Sequence, residues 1–221
     1  MRRLRVAVAA ALMIGVAAAG CADTDSTGEE EPWAGWYASE VISFEPGEGA
    51  GFNEDRLPDI VLGPPDGSGG TTAGTMEVLS LGDGGEIVVG FGDRVIVDGQ
   101  GDDFIVYENA FWESGDPDRV WAELGEVSVS EDGEQWHTFE CDYELEEDPP
   151  YHGCAGWTPT LDYAAEEVIP PDPEVTGGDA FDLGEIGVER ARYVRIRDVW
   201  GQGGEPTQGF DLDAVGVVNG E

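Results

Sequence analysis

The sequence is poor in basic residues and in histidine. Of 221 residues, ten are lysine or arginine and two are histidine, against 48 aspartates and glutamates, so the formal charge is −38. Such a surface repels the phosphates of nucleic acids and of anionic lipids, which argues strongly against both as partners. With His137 and His152 as its histidines and no G-x-S-x-G or H-E-x-x-H motif, the chain offers no recognised catalytic arrangement, and we expect it not to be an enzyme.

Cysteine is also scarce, and the first of the three occurrences belongs to a targeting segment. Met1 to Arg5 is basic, and Val6 to Ala19 is an apolar run too short to cross a bilayer comfortably. The run ends in Ala18-Ala19-Gly20-Cys21, which resembles the lipobox of bacterial lipoproteins. An ordinary secretory signal followed by an unrelated cysteine is the alternative. We expect residues 1–20 to be a signal peptide and Cys21 to carry a lipid anchor in the bacterial membrane.

The remaining chain has 221 − 20 = 201 residues and a charge near 7 − 48 = −41. Residues 21–32 are almost devoid of apolar side chains and are predicted to be a disordered tether. Residues 33–221 are long enough for one domain with its own core. The expected location is the cell envelope, at the outer membrane or cell surface, because Ala22 gives no inner-membrane retention signal of the enteric type.

The other two cysteines, Cys141 and Cys154, are 154 − 141 = 13 positions apart. In an exported chain such a pair is most simply a disulfide. A metal-thiolate site is the alternative, but His152 is its one nearby histidine and no C-x-x-C motif is present. The surrounding stretch, Asp142 to Thr176, contains two proline clusters and is predicted to be an irregular loop insertion.

Helical periodicity is almost absent, whereas the chain has 34 glycines and 13 prolines. Arg192 to Asp198 alternates strictly, with Val194 and Ile196 on one face. Asp132-Gly133 between two apolar runs is typical of a β-hairpin. Many short strands separated by glycine turns predict an all-β, jelly-roll sandwich.

Three motifs resemble the discoidin or coagulation-factor C-type domain, a galactose-binding-like sandwich. They are Ser130 to Trp136, which is similar to S-x-D-G-x-x-W; Ala191 to Ile196, which is similar to A-R-Y-(V/I)-R-I; and the closing strand Asp211 to Val217. The chain lacks the cysteine pair that ties the termini of that family together. Its acidic surface argues against the membrane-lipid binding of coagulation factors.

A second resemblance covers the N-terminal half as well. The motifs V-L-G-P-P-D-G, D-G-x-G-x-D-F-x-V-x-E-N, G-G-D-A-F-D-L and G-F-D-L-D-A-V are similar to those of a bacterial cell-surface protein group. They lie at Val61 to Gly67, Asp98 to Asn109, Gly177 to Leu183 and Gly209 to Val215. This resemblance implies a place on the cell surface.

Acidic residues recur at the ends of predicted strands and in glycine-flanked loops. Calcium takes six to eight oxygen ligands, so one site would draw on several of these segments. Asp211 and Asp213 share a strand face by period two and are expected to converge. Ordinary turn chemistry in a very acidic chain is the alternative. The predicted Ca²⁺ ligands are Asp98, Asp102, Asp103, Glu108, Asp179, Asp182, Asp211 and Asp213.

Aromatic residues in predicted loops suggest a ligand, because sugars stack on exposed rings. These residues are Trp112, Tyr151, Trp157 and Trp200. Packing of Trp112 and Trp157 on the core or on the disulfide is the alternative. The sequence thus predicts a calcium-stabilised, non-catalytic recognition or adhesion module for a glycan or a surface protein. The other possibilities are a structural envelope module and an accessory to a carbohydrate-active enzyme.

Overall fold

Short antiparallel strands dominate the structure, as the glycine-rich sequence predicts. The computed structural model describes residues 33–67, 74–142, 151–161, 168–199 and 209–221. Within these ranges one α-helical turn, α1 (Pro173–Thr176), and short 3-10 turns interrupt the strands. The strands are β1 (Glu40–Glu45), β2 (Leu79–Ser80), β3 (Glu86–Gly90), β4 (Ile96–Val97), β5 (Phe104–Glu108), β6 (Phe111–Trp112), β7 (Val120–Trp121), β8 (Gly125–Ser130), β9 (His137–Thr138), β10 (Cys154–Ala155), β11 (Asp179–Phe181), β12 (Arg190–Ala191), β13 (Tyr193–Asp198) and β14 (Asp211–Val217).

Two antiparallel sheets form the sandwich and confirm the predicted all-β class. The larger sheet has the order β1-β3-β13-β8-β10, with β9 also pairing with β8, and the smaller has the order β11-β5-β14-β2. β4 pairs with β12, and β6 pairs with β7, in two-stranded ribbons. Apart from β8 and β9, neighbouring strands in the sheets are far apart in the sequence, so each sheet gathers loops from distant segments at its ends.

The core lies between the two sheets and follows the period-two pattern of the strands. In β13, Val194 and Ile196 are buried in the same core cluster as Phe104 and Val106 of the smaller sheet. On the opposite face of β13, Arg195 lies over the ring of Trp136, 4.4 Å from the ring centre. The alternation predicted for this strand is therefore confirmed.

The smaller sheet is covered on its outer face as well. Tyr37 packs there with Tyr107 and Ala214 in a second apolar cluster. Val217 N donates to Trp36 O at 2.7 Å, so the segment before β1 runs along β14. As a result every residue of β14 is buried, including both of its aspartates.

The disulfide and the predicted insertion have a definite place in the sandwich. Cys141 and Cys154 are joined, as the sequence predicts. Cys154 also begins β10, which pairs with β8, so this part of Asp142 to Thr176 is an edge strand of the larger sheet rather than irregular loop. No helix in the described part of the chain is long and apolar enough to span a membrane.

Candidate functional site

The loop between β4 and β5 meets the end of β11 at an acidic joint. Asp98 comes from the start of that loop, Asp103 from its end, and Asp182 from the residue after β11. One carboxylate oxygen of each lies within 4.8 Å of those of the other two. The structure thus brings together three of the eight predicted calcium ligands. We call these three residues the acidic joint.

Asp103 forms the inner wall of the acidic joint and holds its segments together. Its side chain is fully buried. Oδ1 accepts from Gly99 N at 2.8 Å and from Asn219 Nδ2 at 3.0 Å, and Oδ2 accepts from Leu183 N at 2.8 Å. A carboxylate has about four acceptor positions, so Asp103 keeps about one for a cation.

Asp98 and Asp182 face outward and are better placed as ligands. Asp98 is exposed, and Asp182 is half-buried with Oδ1 accepting from Gly184 N at 2.7 Å. A Cβ added at Gly184 would lie 2.9 Å from Asp182 Oδ1 and 3.2 Å from Asp98 Oδ1. Glycine therefore leaves open the space beside these two oxygens. The donor set of hard carboxylate oxygens fits Ca²⁺, with water or backbone carbonyls as the remaining ligands.

Asp102 adds charge beside the acidic joint. Partial burial raises the pKa of its carboxyl, and the charges of Asp182 and Asp103 raise the pKa further. A divalent cation would reverse the effect of the neighbouring charges, because it favours the ionised form of all of these carboxyls.

A cavity of about 250 Å³ opens next to the acidic joint. Its wall includes Asp102, Asp182 and Glu185 together with His152 and Trp157. A larger cavity of about 620 Å³ shares His152 and Glu185 with it and extends over the disulfide at Cys141. Carboxylates, an imidazole and an indole ring make this a polar surface that suits a hydroxyl-rich, uncharged or cationic ligand.

Asp179, another of the predicted ligands, lines the smaller cavity but does not belong to the acidic joint. Its oxygens accept from the amides of Gly156, Trp157 and Thr158 at 2.6, 3.1 and 3.1 Å. Burial raises the pKa of Asp179 to about 7, against the effect of these donors. Asp179 therefore holds the chain that follows the disulfide and is not part of the acidic joint.

Asp211 and Asp213 do not share one site. Asp213 accepts from the amides of Asp66 and Gly67 at 2.9 and 3.0 Å. Asp211 is hydrogen-bonded instead by the side chains of Ser80 and Asn109. The register of β14 shifts between Leu212 and Ala214, so simple alternation does not hold along this strand. Glu108 lies with Asp211 at the end of β5.

The predicted aromatic ligands are also dispersed. Trp157 lines the smaller cavity, but its Nε1 donates to Cys154 O at 3.1 Å, which agrees with the alternative of packing on the disulfide strand. Tyr151 is half-buried beside that strand, and Trp112 is half-buried in the β6–β7 ribbon. Trp200 and Cys21 lie outside the described residues.

Sequence reasoning missed two acids, Glu123 and Asp198. Asp198 stands two positions after Ile196, at a core position of an alternating strand, and is buried. A carboxyl at a core position of an alternating strand could have identified Asp198 from the sequence. Glu123 lies in the irregular turn before β8, where no pattern distinguishes it from the other acids.

No protein-family model and no curated protein sequence matches the chain. Among solved structures, a glycoside hydrolase is similar over 62% of this chain, with 14% identity and a TM-score of 0.31, and the chain spans 20% of its length. The C-terminal domain of a chitobiase from Bacteroides fragilis is similar over 86% of this chain and 97% of that domain, with 15% identity and a TM-score of 0.37. Likeness at this level assigns neither a family nor a function.

Proposed function

We propose that the protein is an envelope-anchored lipoprotein whose sandwich is a non-catalytic recognition module stabilised by calcium at the acidic joint. The observation that carries the calcium site is the convergence of oxygens from Asp98, Asp103 and Asp182 within 4.8 Å. A chain with 48 acids and ten bases needs cations to offset such local repulsion. Calcium would tie the β4–β5 loop to the end of β11.

The ligand surface in this proposal is the cavity beside the acidic joint. Its carboxylates accept hydrogen bonds from hydroxyl groups, and the ring of Trp157 offers an apolar face of the kind on which sugars stack. The same carboxylates repel anionic ligands. A neutral glycan, or the glycan of a surface protein, fits this chemistry best. Calcium holds one wall of the cavity, because Asp182 belongs to both.

A purely structural envelope module is the second candidate, and one contact favours it. Because Trp157 Nε1 donates to Cys154 O, the indole is held by the disulfide strand and only part of the ring is free to meet a ligand. In that case calcium would still bind, and the cavity would take no sugar.

Calorimetric titration of metal-stripped protein with CaCl₂ tests the calcium site. With only two outward carboxylates and about one free position on Asp103, we expect a Kd of about 10⁻⁴–10⁻³ M, the range of extracellular modules. D98N/D182N should abolish the binding at the acidic joint, and D93N, which changes an exposed acid outside the joint, should not. Equal binding by wild type and D98N/D182N would refute the site.

A glycan-array screen with and without calcium separates the two candidate functions. Recognition predicts binding that weakens when calcium is removed or when D98N/D182N replaces the wild type. W157F keeps an aromatic ring and removes only the N–H group that donates to Cys154 O, so glycan binding by stacking should persist in this variant. Calcium binding without any glycan signal would favour the structural module.

A further inference from the structure

A second group of acids lies away from the acidic joint, at the end of β5 and the start of β14. Three consecutive backbone amides donate to three different carboxylates there. Gly209 N donates to Glu123 Oε1 at 3.2 Å, Phe210 N to Asp198 Oδ1 at 2.9 Å, and Asp211 N to Glu108 Oε1 at 3.4 Å. The start of β14 is thus held by Glu123, Asp198 and Glu108, and it contributes a fourth acid, Asp211.

Two oxygens of this group are buried without a hydrogen-bond partner. Glu108 is 2% exposed and Asp211 is 4% exposed. In the part of the chain that the structure describes, neither Glu108 Oε2 nor Asp211 Oδ1 has a partner. An unpaired buried oxygen of this kind is costly and rare in folded proteins, so each calls for an explanation.

Among the described residues, no basic side chain forms an ion pair with the acids of this group. Burial raises the pKa of Glu108 well above its ordinary value, and the charges of Asp211 and Glu123 raise it further, which places the three carboxyls within electrostatic reach of one another. The ion pairs found among the described residues use none of these four acids. The chain has no lysine, so only its arginines could serve as basic partners.

We propose that Glu108, Asp211 and Glu123 form a second divalent-cation site, distinct from the acidic joint. The cation would take Glu108 Oε2 and Asp211 Oδ1, the two oxygens that protein donors leave unpaired. Glu123 is only half-buried, and its longer side chain can turn toward them. Asp198 gives both of its oxygens to the amides of Phe210 and Gly84 and stays a positioning residue.

This site is less compact than the first. Among the described residues, three acids with oxygens within 4.8 Å of one another occur at Asp98, Asp103 and Asp182, and the second group does not meet that distance. Binding therefore requires the carboxylates of this group to move closer together, whereas the acidic joint needs no such movement. We expect the larger and more flexible Ca²⁺ to bind here in preference to Mg²⁺, which demands a near-octahedral site.

Equilibrium dialysis of the metal-stripped protein against CaCl₂ at pH 8 tests the proposal. We expect two ions per chain, falling to one in E108Q and to one in D211N. E126Q alters a neighbouring acid on β8 that pairs with Arg197, so it should keep two. D98N/D182N should lose the ion at the acidic joint and keep the ion at Glu108 and Asp211. The experiment therefore shows separately whether each of the two proposed sites binds calcium.

Crystals soaked in TbCl₃ provide a test that needs no variant. An anomalous peak between Glu108 Oε2 and Asp211 Oδ1 is the expected result. If the two carboxyls are satisfied by protons instead, no peak appears at that position, and E108Q binds as many calcium ions as the wild type. Either of those results would overturn the second site.

Discussion

The carboxylate of Asp179 accepts a hydrogen bond from Gly156 N at 2.6 Å. Gly156 has a φ of +95° and comes two residues after the disulfide cysteine Cys154. β11 of the smaller sheet is thereby joined to the chain that leaves β10 of the larger sheet. This link, rather than a cation, explains why a carboxyl is buried at position 179.

D179N should destabilise the protein by about 1–3 kcal/mol, the cost of leaving buried donors unsatisfied. The new amide can present only one acceptor oxygen to the three N–H groups of residues 156–158. Urea denaturation measures the loss. D118N, at an exposed loop position, is the control and should change stability little. An unchanged midpoint in D179N would contradict the assigned role.

Stability should fall as pH rises toward neutrality in the metal-free protein. The pKa of Asp179 is about 7 in the folded state against an ordinary 3.8, so the folded state binds more protons between these values. The contribution of this group is fully present below pH 3.8 and is lost as pH rises through about 7. The slope is at most about 1.4 kcal/mol per pH unit for one such proton. Denaturant titrations from pH 4.5 to 8 should show a shallower decline in D179N.

Gly184→Ala should weaken calcium binding by about tenfold, which corresponds to about 1.4 kcal/mol. The added methyl group would crowd Asp98 and Asp182, as the 3.2 and 2.9 Å distances to their oxygens show. The melting temperature in the absence of calcium should hardly change, because Gly184 does not have a positive φ. Calorimetry that finds wild-type affinity in G184A would place the cation elsewhere.

Removal of the Cys141–Cys154 disulfide should cost about 3 kcal/mol by the chain-entropy estimate for a loop of this length. C141S/C154S is the variant, and chemical denaturation is the measurement. The wild type in reducing agent should match the variant. A difference between the two would show that the serines, and not the missing bond, cause the change.

Cys21→Ser should abolish membrane association if the lipobox-like segment is used. Metabolic labelling with a fatty-acid analogue should mark the wild-type protein and leave the variant unlabelled. Fractionation should then move the variant from the membrane pellet to the soluble pool. C141S, which leaves Cys21 intact, should still be labelled.

The sequence predicted local features well. At the Asp132-Gly133 hairpin, Asp132 Oδ1 accepts from Glu134 N and Gln135 N at 2.8 Å, and β8 pairs with β9 as expected. The gathering of Asp98, Asp103 and Asp182 was predictable in part, because glycine-flanked acids next to strands fall at sheet ends. Their exact partners required knowledge of which strands are neighbours.

The remaining acids could not be placed because their surroundings come from distant segments. The side chain of Tyr37, far away in sequence, packs with Tyr107 and Ala214 on the outer face of the smaller sheet, so both faces of β14 are buried. The alternation of side chains along β14 then no longer separates a buried face from an exposed one. The local register shift after Leu212 adds to the error and directs Asp211 and Asp213 to different neighbours.

The backbone contacts between Trp36 and Val217 and between Ala38 and Val215 also have a mechanical consequence. A pull on the chain upstream of Trp33 reaches a central strand of the smaller sheet directly, without first passing through a loop. Under tension, the backbone hydrogen bonds between residues 36–38 and β14 would be the first to break. Their loss would uncover Tyr107 while leaving the two sheets and the disulfide in place.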